Sequence, residues 1–198
     1  MNSEASPLPL ILASSSPFRR ELLGRLGLHF DHLSPDIDET PQPGESPSEL
    51  VLRLARQKAL KAAENHAGAL IIGSDQVALL DGRIAGKPGN RDNAIAQLRR
   101  ASGRTVTFLT GLCLYNSHSG RHQCGCEPFQ VHFRTLSDDA IERYVDAEQP
   151  FNCAGSFKSE GLGITLFKSL QGRDPNALIG LPLIMLTDFL HAEGVPLP

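Results

Sequence analysis

Two positively charged residues occupy helix positions where apolar residues are expected. Arg19 projects into the apolar stripe of a predicted helix over residues 17–26, and Lys58 lies on the line of apolar residues along a predicted helix from Ser46 to about residue 66. A buried charge needs an anionic partner, and a phosphate or a carboxylate in a cleft would supply one. The alternative is that both side chains snorkel past the core to solvent.

The turn before the first predicted helix has the features of an anion-binding site. Ser14 and Ser16 lie at a strand-to-helix turn, and Arg19 lies in the first helical turn beside free backbone N–H groups. Such groups attract anions, so these residues together would form a phosphate cradle. Lys87, in a rigid Gly-Lys-Pro turn, could reach a leaving phosphate or only solvent.

Acidic residues follow at two further places. Asp75 comes just after the apolar run of residues 70–73, so we predict that it lies where a buried strand ends, the usual ligand-binding edge of an α/β sheet. Asp36, Asp38 and Glu39 crowd one loop, and clustered carboxylate oxygens suit a hard cation such as Mg²⁺. A solvated acidic turn is the alternative for Asp36 and Asp38. Together the cations and carboxylates indicate metal-dependent phosphate chemistry.

The composition excludes several other classes of function. The chain has 198 residues with 19 basic and 22 acidic side chains, a net charge of -3, and no basic block of the kind that binding to DNA or RNA polymers requires. Its apolar runs are far shorter than the roughly 18 residues that span a membrane. Residues 1–9 lack the pattern of a secretory signal, so the expected location is the cytoplasm.

The four cysteines are too few and too irregularly spaced for a disulfide framework, so we expect reduced thiols. Cys124 and Cys126 lie near three histidines, which raises the question of a zinc site. The Cys-x-Cys spacing lacks the usual gap between zinc ligands, and an ordinary strand is favoured.

The elements that must position these residues alternate between helices and strands. This pattern predicts an α/β protein with a mixed set of strands, and no repeat or linker divides residues 1–198, so we expect a single domain. The predicted strands cover residues 8–14, 29–34, 69–73, 76–80, 83–85, 104–115, 121–134 and 163–170. The predicted helices cover residues 17–26, 46–66, 91–101, 137–147 and 182–193.

Six short motifs, in this order over most of the chain, resemble those of the Maf family of nucleotide pyrophosphatases. The resemblance runs from about Leu10 to the last predicted helix. The motifs are Leu12-Ala13-Ser14-Ser15-Ser16-Pro17-Phe18-Arg19-Arg20-Glu21-Leu22-Leu23, Asp38-Glu39-Thr40, Lys58-Ala59, Gly73-Ser74-Asp75-Gln76, Gly86-Lys87-Pro88 and Gly180-Leu181-Pro182.

The resemblance implies an elongated Maf-like and ITPase-like fold, in which helices flank a mixed central sheet and two lobes surround a cleft. It also implies a protein that is often dimeric and that hydrolyses nucleoside triphosphates to monophosphate and pyrophosphate with a divalent cation, Mg²⁺ or Mn²⁺. By motif match Asp75 would be the proton acceptor. Our hypothesis is that Glu39 and Asp75 hold the cation, while Asp75 or a neighbouring carboxylate deprotonates the attacking water. The expected phosphate-binding residues are Ser14, Ser16, Arg19, Lys58 and Lys87.

Three positions that separate subgroups of the family read Phe18, Gln76 and Glu160. Members that cleave dTTP and UTP carry arginine, threonine and glutamine there, whereas this trio resembles the subgroup that acts on 7-methyl-GTP. N7-methylation makes guanine cationic, and an aromatic face attracts a cation. Glu160 could accept from the guanine N1–H and amino group together, and Gln76 could donate or accept. Without the resemblance, Phe18 would be interpreted as a core residue.

Two alternative functions remain open from the sequence. One is a pyrophosphatase for dTTP, UTP or modified pyrimidine nucleotides. The other is a nucleotide-sensing regulator of cell division, since cations in a cleft would look the same in a sensor. In each case the expected ligand is a small nucleotide rather than a nucleic acid polymer or a membrane.

Overall fold

A seven-stranded mixed sheet organises the computed structural model, which describes residues 8–198. The absence of a secretory signal was inferred from residues 1–9, most of which lie outside that range. The strands are β1 (Leu10–Ala13), β2 (Phe30–Leu33), β3 (Leu70–Leu80), β4 (Arg83–Ala85), β5 (Thr105–Asn116), β6 (His122–Phe133) and β7 (Phe167–Gly172). The helices are α1 (Pro17–Gly24), α2 (Pro47–Ala63), α3 (Arg91–Ala101), α4 (Asp138–Glu148), α5 (Pro175–Ile179) and α6 (Leu183–Ala192). The predicted α/β class is confirmed.

The strand order is β2-β1-β3-β5-β6-β7, and β4 pairs with β3 off this path. β1 runs parallel to β2 and β3, whereas the pairs from β3 through β7 are antiparallel. Within residues 8–198, no helix is long and apolar enough to cross a membrane. All four cysteines are free thiols.

The helices begin where local sequence signals place them. Ser46 forms a complete capping box with Glu49 at the start of α2, and Ser16 caps α1 by accepting from the backbone N–H of Arg19. Ser137 caps α4 in the same way. These caps satisfy N–H groups that have no partner inside the helix, so helix starts are predictable from a few residues.

The predicted break between strands at residues 69–73 and 76–80 is wrong. β3 is one strand of 11 residues that pairs with β5 along its whole length, from Leu70 opposite Asn116 to Leu80 opposite Val106. Asp75 therefore lies in mid-strand rather than at a strand exit. The prediction failed because Gly73-Ser74 resembles a turn locally, while the pairing with a distant strand keeps it extended.

One edge of β3 is nevertheless open beside Asp75. β1 stops at Ala13, opposite Gly73, and β4 pairs only from Ala78 onward. Among the described strand pairs, residues 74–77 therefore pair with β5 on one side and with no strand on the other. Alternation along the strand sends Asp75 towards α2 and Gln76 towards α5, so a ligand at this edge can contact both faces of the sheet.

α2 lies unusually close to the sheet because glycines face it. A Cβ atom built on Gly73 would lie 2.0 Å from the carbonyl oxygen of Ala55, and one on Gly111 would lie 2.2 Å from that of Val51. The helix presents small residues such as Ala55 and Ala59, both fully buried, to this surface. The close approach brings the next polar residue on the same face, Lys58, down to the level of β3.

Two elements near the C-terminus differ from prediction. The strand predicted over residues 163–170 is a 3₁₀ turn at Leu162–Leu166 followed by β7. Helix α5 was not predicted, because its five residues are too short for a hydrophobic period. Asp174, fully buried, accepts from the backbone N–H groups of Asn176 and Ile184 and so ties the start of α5 to α6.

Candidate active site

A cavity of about 910 Å³ opens at the free edge of β3. Its wall combines the turn after β1, the face of α2, the centre of β3, the turn after β4 and the segment that follows α4. The structure brings all ten predicted site residues to this one wall: Ser14, Ser16, Phe18, Arg19, Glu39, Lys58, Asp75, Gln76, Lys87 and Glu160. Their roles stay predictions, but they share one site.

Lys58 joins two carboxylates at the base of the cavity. Its Nζ donates to Asp75 Oδ1 at 2.6 Å and to Glu39 Oε1 at 2.7 Å. Lys58 and Asp75 are both buried, whereas the Glu39 side chain is 59% exposed on its loop. The anionic partner that the sequence required for Lys58 is thus a pair of protein carboxylates, and its third N–H can turn towards a ligand.

The charges around Glu39 keep it ionised. Partial burial raises the pKa of Glu39, but the hydrogen bond from Lys58 and the nearby charges of Lys58, Lys87 and Arg19 outweigh it, so the pKa lies below its usual range. A carboxylate that stays anionic in this way can accept hydrogen bonds or bind a cation at neutral pH.

Arg19 is held against the backbone after α5. Its Nε donates to the carbonyl oxygen of Gly180 at 2.7 Å, and its Nη1 lies 3.4 Å from Ser14 Oγ. Burial lowers the pKa of Arg19, while Asp75 and Glu39 favour its charged form, and a guanidinium stays protonated in any case. The same Gly180 carbonyl accepts from Ser74 Oγ at 2.9 Å, so this backbone oxygen orients the arginine from a fixed point.

Gln76 is anchored on the opposite face of β3. Its Nε2 lies 2.7 Å from the carbonyl oxygen of Ala177 and 3.1 Å from that of Leu178, both in α5, and 3.0 Å from Thr110 Oγ1, so its two N–H hydrogens are shared among three acceptors. These contacts hold a half-buried side chain at the cavity wall in one orientation. Thr110 was missed in the sequence, because only the pairing of β3 with β5 places it beside Gln76.

The remaining predicted residues lie around the mouth of the cavity. Phe18 is half-buried on α1, so part of its ring surface is accessible. Glu160 is exposed and accepts from Ser159 Oγ at 3.1 Å. Lys87 is exposed on its turn, close enough to lower the pKa of Glu39 by its charge.

The acidic loop divides into a residue in the cavity and residues outside it. Glu39 lines the cavity, whereas Asp36 and Asp38 do not. Asp38 Oδ1 accepts from the backbone N–H of Thr40 at 2.9 Å, and hydrogen bonds from Thr40 lower the pKa of Asp38. The turn interpretation therefore fits Asp38, and neither Asp36 nor Asp38 lies on the cavity wall with Glu39.

A divalent cation at this site would have two protein carboxylates. In the described part of the chain, no group of three or more His, Cys, Asp or Glu side chains is close enough to form a metal cage. Glu39 and Asp75 converge on one point, the Lys58 ammonium. This donor set fits Mg²⁺, which is commonly bound through one or two carboxylates together with substrate phosphates and water.

Arg53 positions the loop that carries Glu39, a role that the sequence did not reveal. Its Nε donates to Glu45 Oε1 at 2.6 Å and its Nη2 donates to the carbonyl oxygen of Thr40 at 3.0 Å. Glu45 in turn accepts from the backbone N–H of Gln42 at 3.0 Å. Arg53 lies away from the apolar line of α2 that contains Lys58, so the helical pattern gives it no role, and only the path of the loop explains its position.

Together the fold and the cleft define an α/β protein whose cationic, carboxylate-bearing cavity suits a polyanionic ligand. The chain matches the family described as Maf-like protein over residues 9–193, and it belongs to that family. It is 66% identical to a protein of Alcanivorax borkumensis over 189 residues, which cover 96% of each chain. It is 60% identical to a protein of Pseudomonas aeruginosa over 189 residues, which cover 96% of this chain and 98% of the other. Both relatives carry the name 7-methyl-GTP pyrophosphatase.

Proposed function

We propose that this protein hydrolyses 7-methyl-GTP to 7-methyl-GMP and pyrophosphate, and so removes a modified nucleotide from the pool. The observation that carries the proposal is the shared cavity, where Lys58, Glu39 and Asp75 lie beside Phe18 and Gln76. Relatives with 60–66% identity over nearly the whole chain carry the name of that activity.

The cations would bind and neutralise the triphosphate. Lys58 can donate its third N–H to a phosphate oxygen, and Arg19 and Lys87 lie on the same wall. Ser14 and Ser16 line the turn at the start of α1, where free backbone N–H groups favour an anion. Charge on the leaving pyrophosphate grows during the reaction, so these cations would stabilise the transition state most.

Asp75 would accept the proton from the attacking water. The water oxygen would form a bond to the α-phosphorus, the bond from that phosphorus to the bridging oxygen would break, and pyrophosphate would leave with the electron pair. Glu39 and Asp75 would hold a divalent cation, Mg²⁺ or Mn²⁺, which when bound would offset phosphate charge. Lys58 would hold both carboxylates in place.

Phe18, Glu160 and Gln76 would recognise the base. The half-exposed ring of Phe18 offers an aromatic face to the positive charge of 7-methylguanine, an interaction of about 0.5–2 kcal/mol. The Glu160 carboxylate can accept from N1–H and the 2-amino group together. Uracil and thymine lack that pair of donors, so this trio supports the methylated purine over pyrimidine substrates.

The decisive experiment measures pyrophosphate release under multiple turnover. The purified protein is assayed with 7-methyl-GTP, GTP, dTTP and UTP, in Mg²⁺, in Mn²⁺ and in excess chelator. We expect 7-methyl-GTP to have the highest kcat/KM, and we expect a large loss of rate in chelator. A preference for dTTP or UTP would establish the pyrimidine alternative, and tight binding without turnover would indicate a sensor.

The proposal also covers location and assembly. The family resemblance is the support for a homodimer, and the cytoplasm is the expected location. Size-exclusion chromatography with light scattering would test the first, and a dominant species of monomer mass would contradict it.

A further inference from the structure

The hydrogen bonds of Gln76 determine which end of its amide faces the cavity. Its amide group contacts the backbone carbonyl oxygens of Ala177 and Leu178 at 2.7 and 3.1 Å. A carbonyl oxygen can only accept a hydrogen bond, so the amide nitrogen must lie on the α5 side. The carbonyl oxygen, Oε1, is therefore the end that is left to face away from α5.

Thr110 fixes the same orientation by a second route. Its hydroxyl, fully buried, donates its single hydrogen to the carbonyl oxygen of Ala177 at 2.8 Å. With that hydrogen committed, Thr110 Oγ1 can only accept from Gln76, whose Nε2 lies 3.0 Å away. A rotated amide would direct Oε1 at the carbonyl oxygens of Ala177 and Leu178, which carry no hydrogen, and the Thr110 hydroxyl could donate to it only by giving up its own bond to Ala177. Rotation is therefore strongly disfavoured.

The end of α5 is suited to this role. The last carbonyls of a helix lack the usual N–H partner four residues on and can accept from donors elsewhere. The Ala177 carbonyl accepts from the backbone N–H of Gly180 at 3.1 Å and also lies within reach of the two side-chain donors. Gln76 and Thr110 supply donors to α5, and Ser74 and Arg19 supply them to Gly180 just beyond it. The five-residue helix α5 and the glycine after it thereby orient both Gln76, which would face the base, and Arg19, which would face the phosphates.

We propose that Thr110 is a positioning residue that presents Gln76 Oε1 as a fixed hydrogen-bond acceptor for the 2-amino group of the base. This proposal rests on the proposed function. The guanine edge carries three N–H donors: N1–H and two on the 2-amino group. A bidentate Glu160 accepts two of them, and Gln76 Oε1 accepts the third. If uracil or thymine were bound instead, Gln76 Oε1 would face a carbonyl oxygen of the base, and the two acceptors would repel each other.

The test compares 7-methyl-GTP with 7-methyl-ITP, which lacks only the 2-amino group, in wild type and in Thr110→Val. Assays run below neutral pH, because N7-methylation acidifies the N1–H. In wild type, 7-methyl-ITP should have the higher KM of the two substrates, by about 10-fold or more, since each lost hydrogen bond is worth roughly 2- to 10-fold. The quantity to compare among variants is the ratio of the KM for 7-methyl-ITP to the KM for 7-methyl-GTP. Thr110→Val should lower this ratio by about 3- to 10-fold, mainly because 7-methyl-GTP then has a higher KM than in wild type.

Three further variants separate positioning from a merely structural role. Thr110→Ser keeps the hydroxyl and should restore the wild-type ratio. Thr107→Val, on the same strand, is the matched control and should leave the ratio unchanged. Gln76→Met removes the acceptor itself and should narrow the ratio even if Thr110→Val does not fold.

Several outcomes would overturn the inference. An unchanged ratio in Thr110→Val with a lowered melting temperature would make Thr110 structural only. Equal KM values for both substrates in wild type, or an unchanged ratio in Gln76→Met, would exclude contact with the 2-amino group. Failure of wild type to release pyrophosphate from either nucleotide would instead refute the proposed function, and the inference with it.

Discussion

The two faces of β3 contribute to the cavity in different ways. On the α2 face, Lys58, Glu39 and Asp75 interact as charged side chains. On the α5 face, Gln76 and Arg19 bond to backbone carbonyl oxygens. Charged side chains can rearrange when a polyanion or a cation enters, whereas backbone oxygens stay where the fold places them. The first face is suited to chemistry on phosphates, whereas the second orients both a phosphate-binding arginine and the glutamine that would select the base.

The comparison is tested most strongly by Asp75→Asn, which removes the proposed proton acceptor but keeps the side-chain shape. We expect kcat to fall by about 10²- to 10⁴-fold for every nucleotide, the usual contribution of general base catalysis. The preference among bases should not change, because Gln76 points to the other face. Steady-state kinetics on 7-methyl-GTP and dTTP would measure both quantities.

Asp36→Asn is the matched control for this substitution. Asp36 is exposed, belongs to the same acidic loop as Glu39 and does not line the cavity. Its variant should keep near wild-type kcat. If kcat fell by a similar factor in both variants, or if Asp75→Asn changed the preference among bases, the two faces would not have separate functions.

Recognition of the base is tested by the double variant Phe18→Arg with Glu160→Gln. The preference for 7-methyl-GTP over dTTP, expressed as a ratio of kcat/KM values, should fall by about 10- to 100-fold. Loss of a cation–π contact of about 0.5–2 kcal/mol and of one charged hydrogen-bond acceptor accounts for that size. Turnover of dTTP should not decrease, since the α2 face is untouched.

Glu64→Gln serves as the control, because Glu64 is exposed at the end of α2 and pairs with Lys61 at 2.8 Å. This variant should retain the wild-type ratio. If the double variant lowers kcat equally for both nucleotides, Phe18 and Glu160 act in catalysis rather than in selection.

A smaller effect is expected from the contact that anchors the Glu39 loop to α2. Hydrogen bonds from Arg53 and from the backbone of Gln42 lower the pKa of Glu45 to about 2. The folded pKa lies below the unfolded one, so the stabilisation is present above about pH 4.5 and is lost as pH falls towards 2. The free energy of unfolding of wild type and Glu45→Gln, from urea titrations at pH 7 and near pH 2, should differ more at pH 7. A pH-independent difference would refute this role.

Many of the site residues were predictable because their signals are local. The turn at Ser14 to Arg19 and the cation within the stripe of α2 each depend on residues a few positions apart. The ordered motifs strengthened Glu39 and Lys87, which carry weak signals alone, and the positions that separate the subgroups added Glu160. The wider roles of Asp36 and Asp38 could not be judged, since an acidic turn and a cation site have the same composition.

Contacts between distant segments could not be predicted in this way. The continuity of β3 depends on its register with β5, and the position of Arg53 depends on the path of the loop before α2. Helix α5 is too short for a periodic signal, yet its carbonyls orient Gln76.

Residue types and short spacings along the chain were therefore enough to predict the α/β class, the helix starts and the cavity residues Ser14, Arg19 and Lys58, because caps and amphipathic stripes form over a few residues. Only folding decided that Lys58 would pair with Glu39 and Asp75, and that the Gln76 amide would be held with its nitrogen against α5. Those arrangements depend on close approach between segments far apart in sequence, through glycines in the sheet and carbonyls at the end of a short helix, and neither leaves a local pattern.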